Sequence, residues 1–384
     1  MDGSPLLGVD LPTLRATRSS VKWRLFEDDV LPLWVAEMDA RPCAAVVDAV
    51  TAAVQRGDTG YPLGRPFAEA MGRFALDRWG WEFDPEATVG VADVMIGVEA
   101  LIRTVTPPDG SVIVSPPVYD SFFGFIDVSG RSRIDAPLDE AGRLDAAALR
   151  GAFATATRSA GGERAAYLLC NPQNPTGTVH TRAELEMLAE LAAEHDVVVI
   201  ADEIHAPLVH DGEFVPYLSV AGGERGISIW SASKAWNLAG FKAATAVAGE
   251  DAVDLLRSVN DMHTHGLGHI GSIAHSAALD HGRDWLDEVL GELDANRRLL
   301  MRLVEERLPG VQVRLPAATY LAWLDCRALG LGDDPAVAFR ERARVALSSG
   351  PNYGGEVGRG FARLNFATSP QILTEAIDRM AAIL

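Results

Sequence analysis

The fold is decided by the stretch ISIWSASKAWNLAGFK, residues 227–242. Its apolar start gives way at once to Ser231, Ser233 and Lys234, and Lys242 follows eight residues later. This change of character predicts a buried strand that ends in a polar loop. A lysine at the end of an apolar strand is partly desolvated, which lowers the pKa of its ammonium group and lets the amine attack a carbonyl.

The side chains around Lys234 indicate what its amine would attack. Ser231 and Ser233 offer hydroxyl donors and Lys242 offers a positive charge, a set that suits a phosphate. An aldehyde cofactor that carries a phosphate, pyridoxal phosphate (PLP), would use both the amine and the phosphate donors. Ser-x-x-Lys is a weak pattern by itself, and a lysine after a strand is more often a solvated loop residue.

Composition narrows the class of protein. The chain has 384 residues, 48% of them hydrophobic and 23% charged, which predicts an ordinary globular protein with two domains. A formal net charge of −19 argues against nucleic acid or an anionic membrane as the main partner. The chain starts without a signal-peptide pattern and contains no apolar run long enough for a membrane span, so we expect a cytoplasmic protein. Three scattered cysteines predict neither disulfides nor a metal site.

Apolar segments that alternate with helical ones predict an α/β fold with a mostly parallel sheet and helices on both faces. The strand candidates are residues 112–114, 166–170, 197–200, 227–230 and 243–248. A helix between the second and third candidates begins at a capping box formed by Thr181 and Glu184. In such sheets ligands bind beyond the carboxyl ends of the strands.

The last third of the chain predicts a smaller α+β domain. Its elements are a long helix at 285–308, strands at 320–324 and 362–366, and helices that begin at Pro335 and at Ser369-Pro370. We therefore predict an N-terminal arm, residues 1–42, that joins the small domain, a large domain at 43–265 and a small C-terminal domain at 266–384. The last boundary is placed where the composition becomes rich in His and Gly.

Three successive strand ends carry polar side chains. The loop NPQNPTG at 171–177 contains two prolines and a glycine, which hold Asn174 so that its amide can be aimed at a ligand. Asp202 ends the next strand and Lys234 follows the one after it. An amide, a carboxylate and a lysine at neighbouring strand ends predict one site.

This series of motifs resembles the class I/II aminotransferase superfamily of fold-type I PLP-dependent enzymes. Within it the chain resembles the cystathionine β-lyase branch of the MalY/PatB type. The motifs that carry the second resemblance are KW at 22–23, LWVAEMD at 33–39, GY at 60–61, PPVY at 116–119, DEIHA at 202–206 and NLAG at 237–240. The resemblance implies the aspartate aminotransferase-like fold of PLP-dependent transferases.

The resemblance also implies roles for residues of the cofactor site. Lys234 would carry the cofactor and move the substrate proton, Asp202 would pair with the pyridinium nitrogen, and Asn174 would donate to the phenolic oxygen of the ring. Tyr119 would stack on the ring, and His205 falls near the phenolic oxygen unless it is a structural histidine. The phosphate would be bound by Ser231, Ser233, Lys242, the backbone N–H groups of Val94 and Met95, and Tyr61 from the neighbouring subunit of a homodimer.

The substrate's α-carboxylate would be bound by Arg363, with help from the backbone N–H of Ala36 and from Asn174. Two positions depart from the family pattern. Asp93 stands where the family has a glycine, and an acid there is unfavourable beside a phosphate unless it points away. Gln173 stands where the branch has a histidine.

By the same resemblance, the implied reaction is β-elimination from L-cystathionine or related L-cysteine S-conjugates to thiol, pyruvate and ammonia. An aminotransferase is the alternative, because lysine, aspartate and arginine serve both reactions. A regulatory protein that uses this fold to bind an effector is disfavoured, since no basic helix-turn-helix segment precedes residue 40.

Overall fold

The computed structural model describes residues 4–159 and 164–384. Its α-helices, α1 to α14 in chain order, are Leu11–Thr17, Val21–Arg24, Ala44–Gln55, Arg65–Trp79, Val94–Val105, Ser121–Ser129, Ala146–Ser159, Arg182–Glu194, Val253–Arg257, Asp261–Thr264, His269–His281, Arg283–Arg307, Pro335–Ala343 and Pro370–Ala381. Its β-strands, β1 to β13, are Leu31–Pro32, Thr88–Val91, Ser111–Val114, Ser132–Asp135, Ala165–Cys170, Val197–Asp202, Ile227–Trp230, Ala244–Ala248, Gln312–Val313, Leu321–Asp325, Val345–Ala346, Ser348–Ser349 and Phe361–Asn365.

The described residues form two compact units. The larger unit comprises residues 42–173 and 178–283, and the smaller unit comprises the residues up to Arg41 together with 174–177 and 284–384. The sequence placed the last boundary at residue 265, whereas the contacts place it after Arg283. The reason is that α11 packs against α3 and α4 of the larger unit, which local composition does not reveal.

The larger unit is built on a seven-stranded sheet in the order β2-β8-β7-β6-β5-β3-β4. Strands β4, β3, β5, β6 and β7 run parallel to one another, which confirms the predicted mostly parallel α/β sheet. Strand β8, which the sequence grouped with them, runs antiparallel to β7. Residues 231–243 contain no helix that could return the chain to the other end of the sheet, so the chain comes back antiparallel.

Both faces of this sheet are buried, which explains why its strands are almost continuously apolar. Val112 and Leu168 face one apolar cluster, and their neighbours Ile113 and Tyr167 face another. Helix α5 packs very closely on the sheet at Gly97. Any larger residue there would not fit, since a Cβ at this position would be 2.3 Å from Cδ1 of Ile229. This contact places the start of α5 next to the strand ends of the larger unit.

The helix-start signals read from the sequence are confirmed. Thr181 and Glu184 form a capping box at the start of α8, and the Ser369 side chain accepts from Ile372 N at the start of α14.

In the smaller unit β12, β13, β10 and β9 form an antiparallel sheet, and β1 of the arm pairs with β11. No helix in the described part of the chain has both the length and the apolar character of a membrane span.

Candidate active site

In the larger unit, the carboxyl end of β6 presents Asp202. This residue is buried, and its Oδ1 accepts a hydrogen bond of 3.1 Å from the backbone N–H of Ile204. Burial raises the pKa of Asp202 to about 7, while the Ile204 N–H and the charge of Lys234 act in the opposite direction. A further positive charge beside Asp202 would lower the pKa again, so this carboxyl group suits a cationic partner.

Lys234 lies in the turn that follows β7 and is half-buried. The turn is held by backbone hydrogen bonds from Trp236 N to Ala232 O and from Leu238 N to Ser233 O, of 3.1 and 2.7 Å. The positive charge of Lys234 favours the ionised form of Asp202, which lies at the end of the neighbouring strand β6.

Ser231 is buried and hydrogen-bonded to the backbone. Its hydroxyl donates to Ala243 O at 2.8 Å and accepts from Ser233 N at 3.2 Å. Its single hydroxyl hydrogen is therefore used in this structure, and Ser231 can donate to a phosphate only after that hydroxyl turns away from Ala243.

Lys242 and the start of α5 supply the positive character expected for an anion site. Asp93 is the N-cap of α5: its Oδ1 accepts from Ile96 N at 2.9 Å and its Oδ2 lies 2.7 Å from Nζ of Lys242. The N–H groups of Val94 and Met95 belong to the first turn, where backbone donors have no partner within the helix. Asp93 thus points to Lys242 and offsets part of its charge, an arrangement that the sequence did not predict.

Gln173, in the loop after β5, contacts the loop after β3 that carries Tyr119; both loops belong to the larger unit. The Gln173 amide donates to Pro117 O at 2.8 Å and to Ser115 O at 3.3 Å, so it holds the Pro-Pro loop that carries Tyr119. Tyr119 is half-buried, with the Phe122 ring at 5.8 Å between centroids. His205 is buried three residues after Asp202.

Glu203, next to Asp202, is fully buried and was not predicted as a site residue. Its Oε1 accepts from the Asn171 side chain at 2.9 Å and from Tyr217 N at 2.8 Å. The pKa of Glu203 is raised to about 8, mainly by burial. The residue therefore links the loop after β5 to the end of β6 largely as a neutral acid near pH 7.

A pH dependence of stability follows from Glu203. Because its pKa is higher in the folded chain than in the unfolded one, the folded state binds the extra proton, and stability is lost as pH rises from about 4.5 to about 8. In urea unfolding of the cofactor-free protein at about pH 5.5 and about pH 8, we expect Glu203→Gln to show a smaller loss than wild type. Asp202 contributes in the same direction, so the loss is reduced rather than abolished.

Glu190→Gln, at an exposed position of α8, is the control and should lose as much stability as wild type. An unchanged pH dependence in Glu203→Gln would contradict the role of Glu203.

In the smaller unit, Arg363 of β13 is the centre of a second set of polar contacts. It is buried, with 4% of its surface exposed. Its Nη1 donates to Asn174 Oδ1 at 3.0 Å, and its Nη2 donates to Trp34 O at 2.9 Å and to Ser348 Oγ at 3.2 Å. The Tyr353 ring lies 5.0 Å from its guanidinium carbon. Nε is buried and has no hydrogen-bond partner among the described residues, and the guanidinium is a cation held in place by its Nη contacts.

Ala36 and Asn174 lie in the same unit as Arg363. The Asn174 amide oxygen accepts from Arg363, so the amide nitrogen is the end of this side chain that can donate to a ligand. Ala36 is buried in the arm, and its carbonyl accepts from the Tyr320 hydroxyl at 3.0 Å. Sequence reasoning missed Tyr320, along with Trp34, Ser348, Tyr353 and Asn365. Two of them had a signal in the sequence: Trp34 lies in the LWVAEMD motif, and Asn365 stands two residues after Arg363 and therefore on the same face of the strand.

Tyr61 stands apart from these groups. It lies in the loop between α3 and α4, and 99% of its surface is exposed in the single chain. Its ring is therefore almost free of contacts with the residues that the structure describes. This exposure is what a residue that serves a neighbouring subunit would show.

Comparison with known proteins identifies the family. Residues 28–380 match the family model described as aminotransferase class I and II. The chain belongs to this family. A Mycobacterium leprae protein named "Putative cystathionine beta-lyase" is 49% identical over 100% of this chain and 99% of its own length. Cystathionine beta-lyase PatB of Bacillus subtilis is 32% identical over 96% of this chain and 98% of its own, which confirms the resemblance to the MalY/PatB branch.

A solved structure supports the family fold. It is described as a "putative plp-dependent beta-cystathionase" from Corynebacterium diphtheriae, with 37% identity, a TM-score of 0.91 and coverage of 98% of both chains. The predicted aminotransferase-like fold is thereby confirmed.

Proposed function

We propose that this protein is a PLP-dependent carbon–sulfur β-lyase that cleaves L-cystathionine or a related L-cysteine S-conjugate to a thiol, pyruvate and ammonia. The observation that carries the proposal is similarity along nearly the whole chain to proteins named cystathionine β-lyase and β-cystathionase. Each unit, taken by itself, contains groups that this chemistry needs.

The larger unit fits PLP by the chemistry of its donors. Lys234 offers an amine for the aldehyde, the buried Asp202 offers a carboxylate for the pyridinium nitrogen, and Lys242 with the start of α5 offers positive charge for the phosphate. When bound, PLP withdraws electrons from the substrate carbon that loses its proton. Tyr119 and Ser233 are proposed to contact the ring and the phosphate, respectively, and His205 to lie near the ring oxygen.

The chain's own residues then perform proton transfer and positioning. The Lys234 amine takes the proton from Cα of the substrate, the electron pair moves to form a Cα–Cβ double bond, and the Cβ–S bond breaks with departure of a thiolate. A thiol of pKa about 8.5 is a tolerable leaving group. Water hydrolyses the released enamine to pyruvate and ammonia. Arg363, with Ala36 and Asn174, is proposed to bind the α-carboxylate and so to orient the Cα–H bond.

We further propose a cytoplasmic homodimer in which Tyr61 of one subunit contacts the phosphate held by the other. The support is the 99% exposure of Tyr61, whose ring the described residues of its own chain leave uncovered. Leu63, two residues later, is 81% exposed and adds apolar surface that a second subunit would cover.

Asp93→Asn is expected to strengthen cofactor binding. The substitution keeps a side-chain oxygen that can cap α5 but removes the negative charge beside Lys242, so the full charge of this lysine becomes available to the phosphate. We expect the dissociation constant for PLP to fall by about threefold to tenfold, with a similar gain for inorganic phosphate as a competitor. Reconstitution of the cofactor-free protein, followed by absorbance, measures both constants.

Asp10→Asn is the matched control for Asp93→Asn, because Asp10 likewise caps a helix, α1, by accepting from Thr13 N, and no lysine among the described residues pairs with its carboxylate. Equal or weaker PLP binding by Asp93→Asn would show that the carboxylate does not compete with the phosphate for Lys242.

The function itself is tested by incubating the PLP-loaded protein with L-cystathionine and no keto acid. Pyruvate and thiol should appear in equal amounts over many turnovers, since each cleavage of the Cβ–S bond yields one of each. Absence of both products, with PLP bound, would refute the lyase.

A further inference from the structure

The backbone of the arm from Trp34 to Glu37 is held through its carbonyl groups. Asn365 donates to Val35 O and to Glu37 O at 2.7 Å each, and the Tyr320 hydroxyl donates to the carbonyl of Ala36, between them, at 3.0 Å. Arg363 also donates to Trp34 O, so the four consecutive carbonyls of residues 34–37 all accept side-chain hydrogen bonds. All of these residues belong to the smaller unit.

These contacts are buried and supported from behind. Tyr320 and Asn365 are both fully buried, as is Lys22, which donates to Glu37 O at 2.9 Å and pairs with Asp39 Oδ1 at 2.9 Å. The Asn365 oxygen is fixed as well, because it accepts from Ala367 N at 2.7 Å. Hydrogen bonds on all four carbonyls restrict the orientation of each of these peptide groups.

The orientation of one peptide group is the important consequence. A trans peptide bond is planar, and its N–H points opposite to its C=O. The hydrogen bond from Asn365 to Val35 O therefore also sets the direction of the Ala36 N–H. The bond from Tyr320 to Ala36 O restrains the following peptide group. Asn365 stands two residues from Arg363 on the same face of β13, so one strand face holds both the cation and the residue that aims the N–H.

We propose that Asn365 and Tyr320 are positioning residues for the α-carboxylate of the substrate: they hold the Ala36 N–H in the direction from which it binds that carboxylate together with Arg363. This inference rests on the proposed function, in which Arg363 and Ala36 bind the carboxylate. Neither residue touches the substrate. Their removal should therefore weaken recognition of the carboxylate and leave binding of the cofactor unchanged.

The test compares an amino acid with its amide in the PLP-loaded protein. L-alanine has no leaving group on Cβ, so its dissociation constant can be measured from the absorbance change of the bound cofactor without elimination. L-alaninamide lacks the carboxylate but keeps the amine. We expect Tyr320→Phe to weaken binding of L-alanine by about threefold to tenfold and Asn365→Ala by about tenfold or more, with L-alaninamide affected much less by either.

Tyr167→Phe is the matched control, because Tyr167 is also a buried tyrosine with a hydrogen-bonded hydroxyl, here 2.8 Å from Ser115 Oγ in the larger unit. It should leave the ratio of acid to amide affinity as in wild type. Tyr320→Phe keeps the aromatic ring in place and so remains informative if Asn365→Ala does not fold. An unchanged ratio in folded Tyr320→Phe and Asn365→Ala would overturn this inference alone. A wild-type protein that binds PLP but responds to no amino acid would overturn both this inference and the proposed function.

Discussion

Replacing Lys234 with alanine is expected to lower turnover of L-cystathionine by about a thousandfold or more. The substitution removes both the amine that attaches the cofactor and the base that takes the Cα proton. The neighbouring Asp202 cannot substitute for it, because the pyridinium nitrogen is its proposed partner. Production of pyruvate and thiol by the PLP-loaded variant, at saturating substrate, measures the effect.

Two observations separate the loss of a base from the loss of structure in Lys234→Ala. The variant should retain PLP without a covalent bond, since Lys242 and the start of α5 are unchanged. Added ethylamine should restore part of the activity, because a small amine can occupy the space of the deleted side chain and take the proton. Retention of more than about a tenth of wild-type turnover would contradict the assigned role of Lys234.

Replacing Arg363 with lysine is expected to lower kcat/KM by about a hundredfold, mainly through a higher KM. Lysine keeps the positive charge but loses the planar fork that contacts Asn174, Trp34 O and Ser348 at the same time. The carboxylate then meets a single ammonium group of less defined position. Initial rates over a range of L-cystathionine concentrations give the two constants separately.

Arg327→Lys provides the control for Arg363→Lys. Arg327 lies in the same unit and pairs with Asp325, but its side chain is 65% exposed. The control should leave kcat and KM unchanged. A KM for Arg363→Lys within about twofold of wild type would show that the α-carboxylate is bound elsewhere.

The part of the site that follows strands could be predicted because each chemical group stands directly after an apolar run. Asp202 and Lys234 are visible in this way, since a charged residue at the end of a buried strand stands out against the apolar residues before it. The capping box at Thr181 could be predicted because its two residues are only three positions apart. Local patterns of this kind predict single strands and helices, and the alternation of strands with helices along the chain predicted the α/β class.

The surroundings of Arg363 could not be predicted from local sequence. Its partners Trp34 and Asn174 are 329 and 189 positions away and are brought to it only by the folded smaller unit; the family resemblance had placed Asn174 near Arg363, but no local pattern did. The same holds for Asp93, whose carboxylate looked unfavourable beside a phosphate. Its partner Lys242 is 149 positions away, and only the structure shows the ion pair that accommodates it.

The central claim is that the chain eliminates a thiolate instead of transferring an amino group. The most direct test supplies PLP-loaded protein with L-cystathionine and 2-oxoglutarate together, and follows pyruvate, thiol and glutamate in one vessel. The account predicts that pyruvate and thiol form at the same rate with or without the keto acid and that little glutamate appears. Glutamate formation that depends on the keto acid, without release of thiol, would contradict the lyase and identify an aminotransferase.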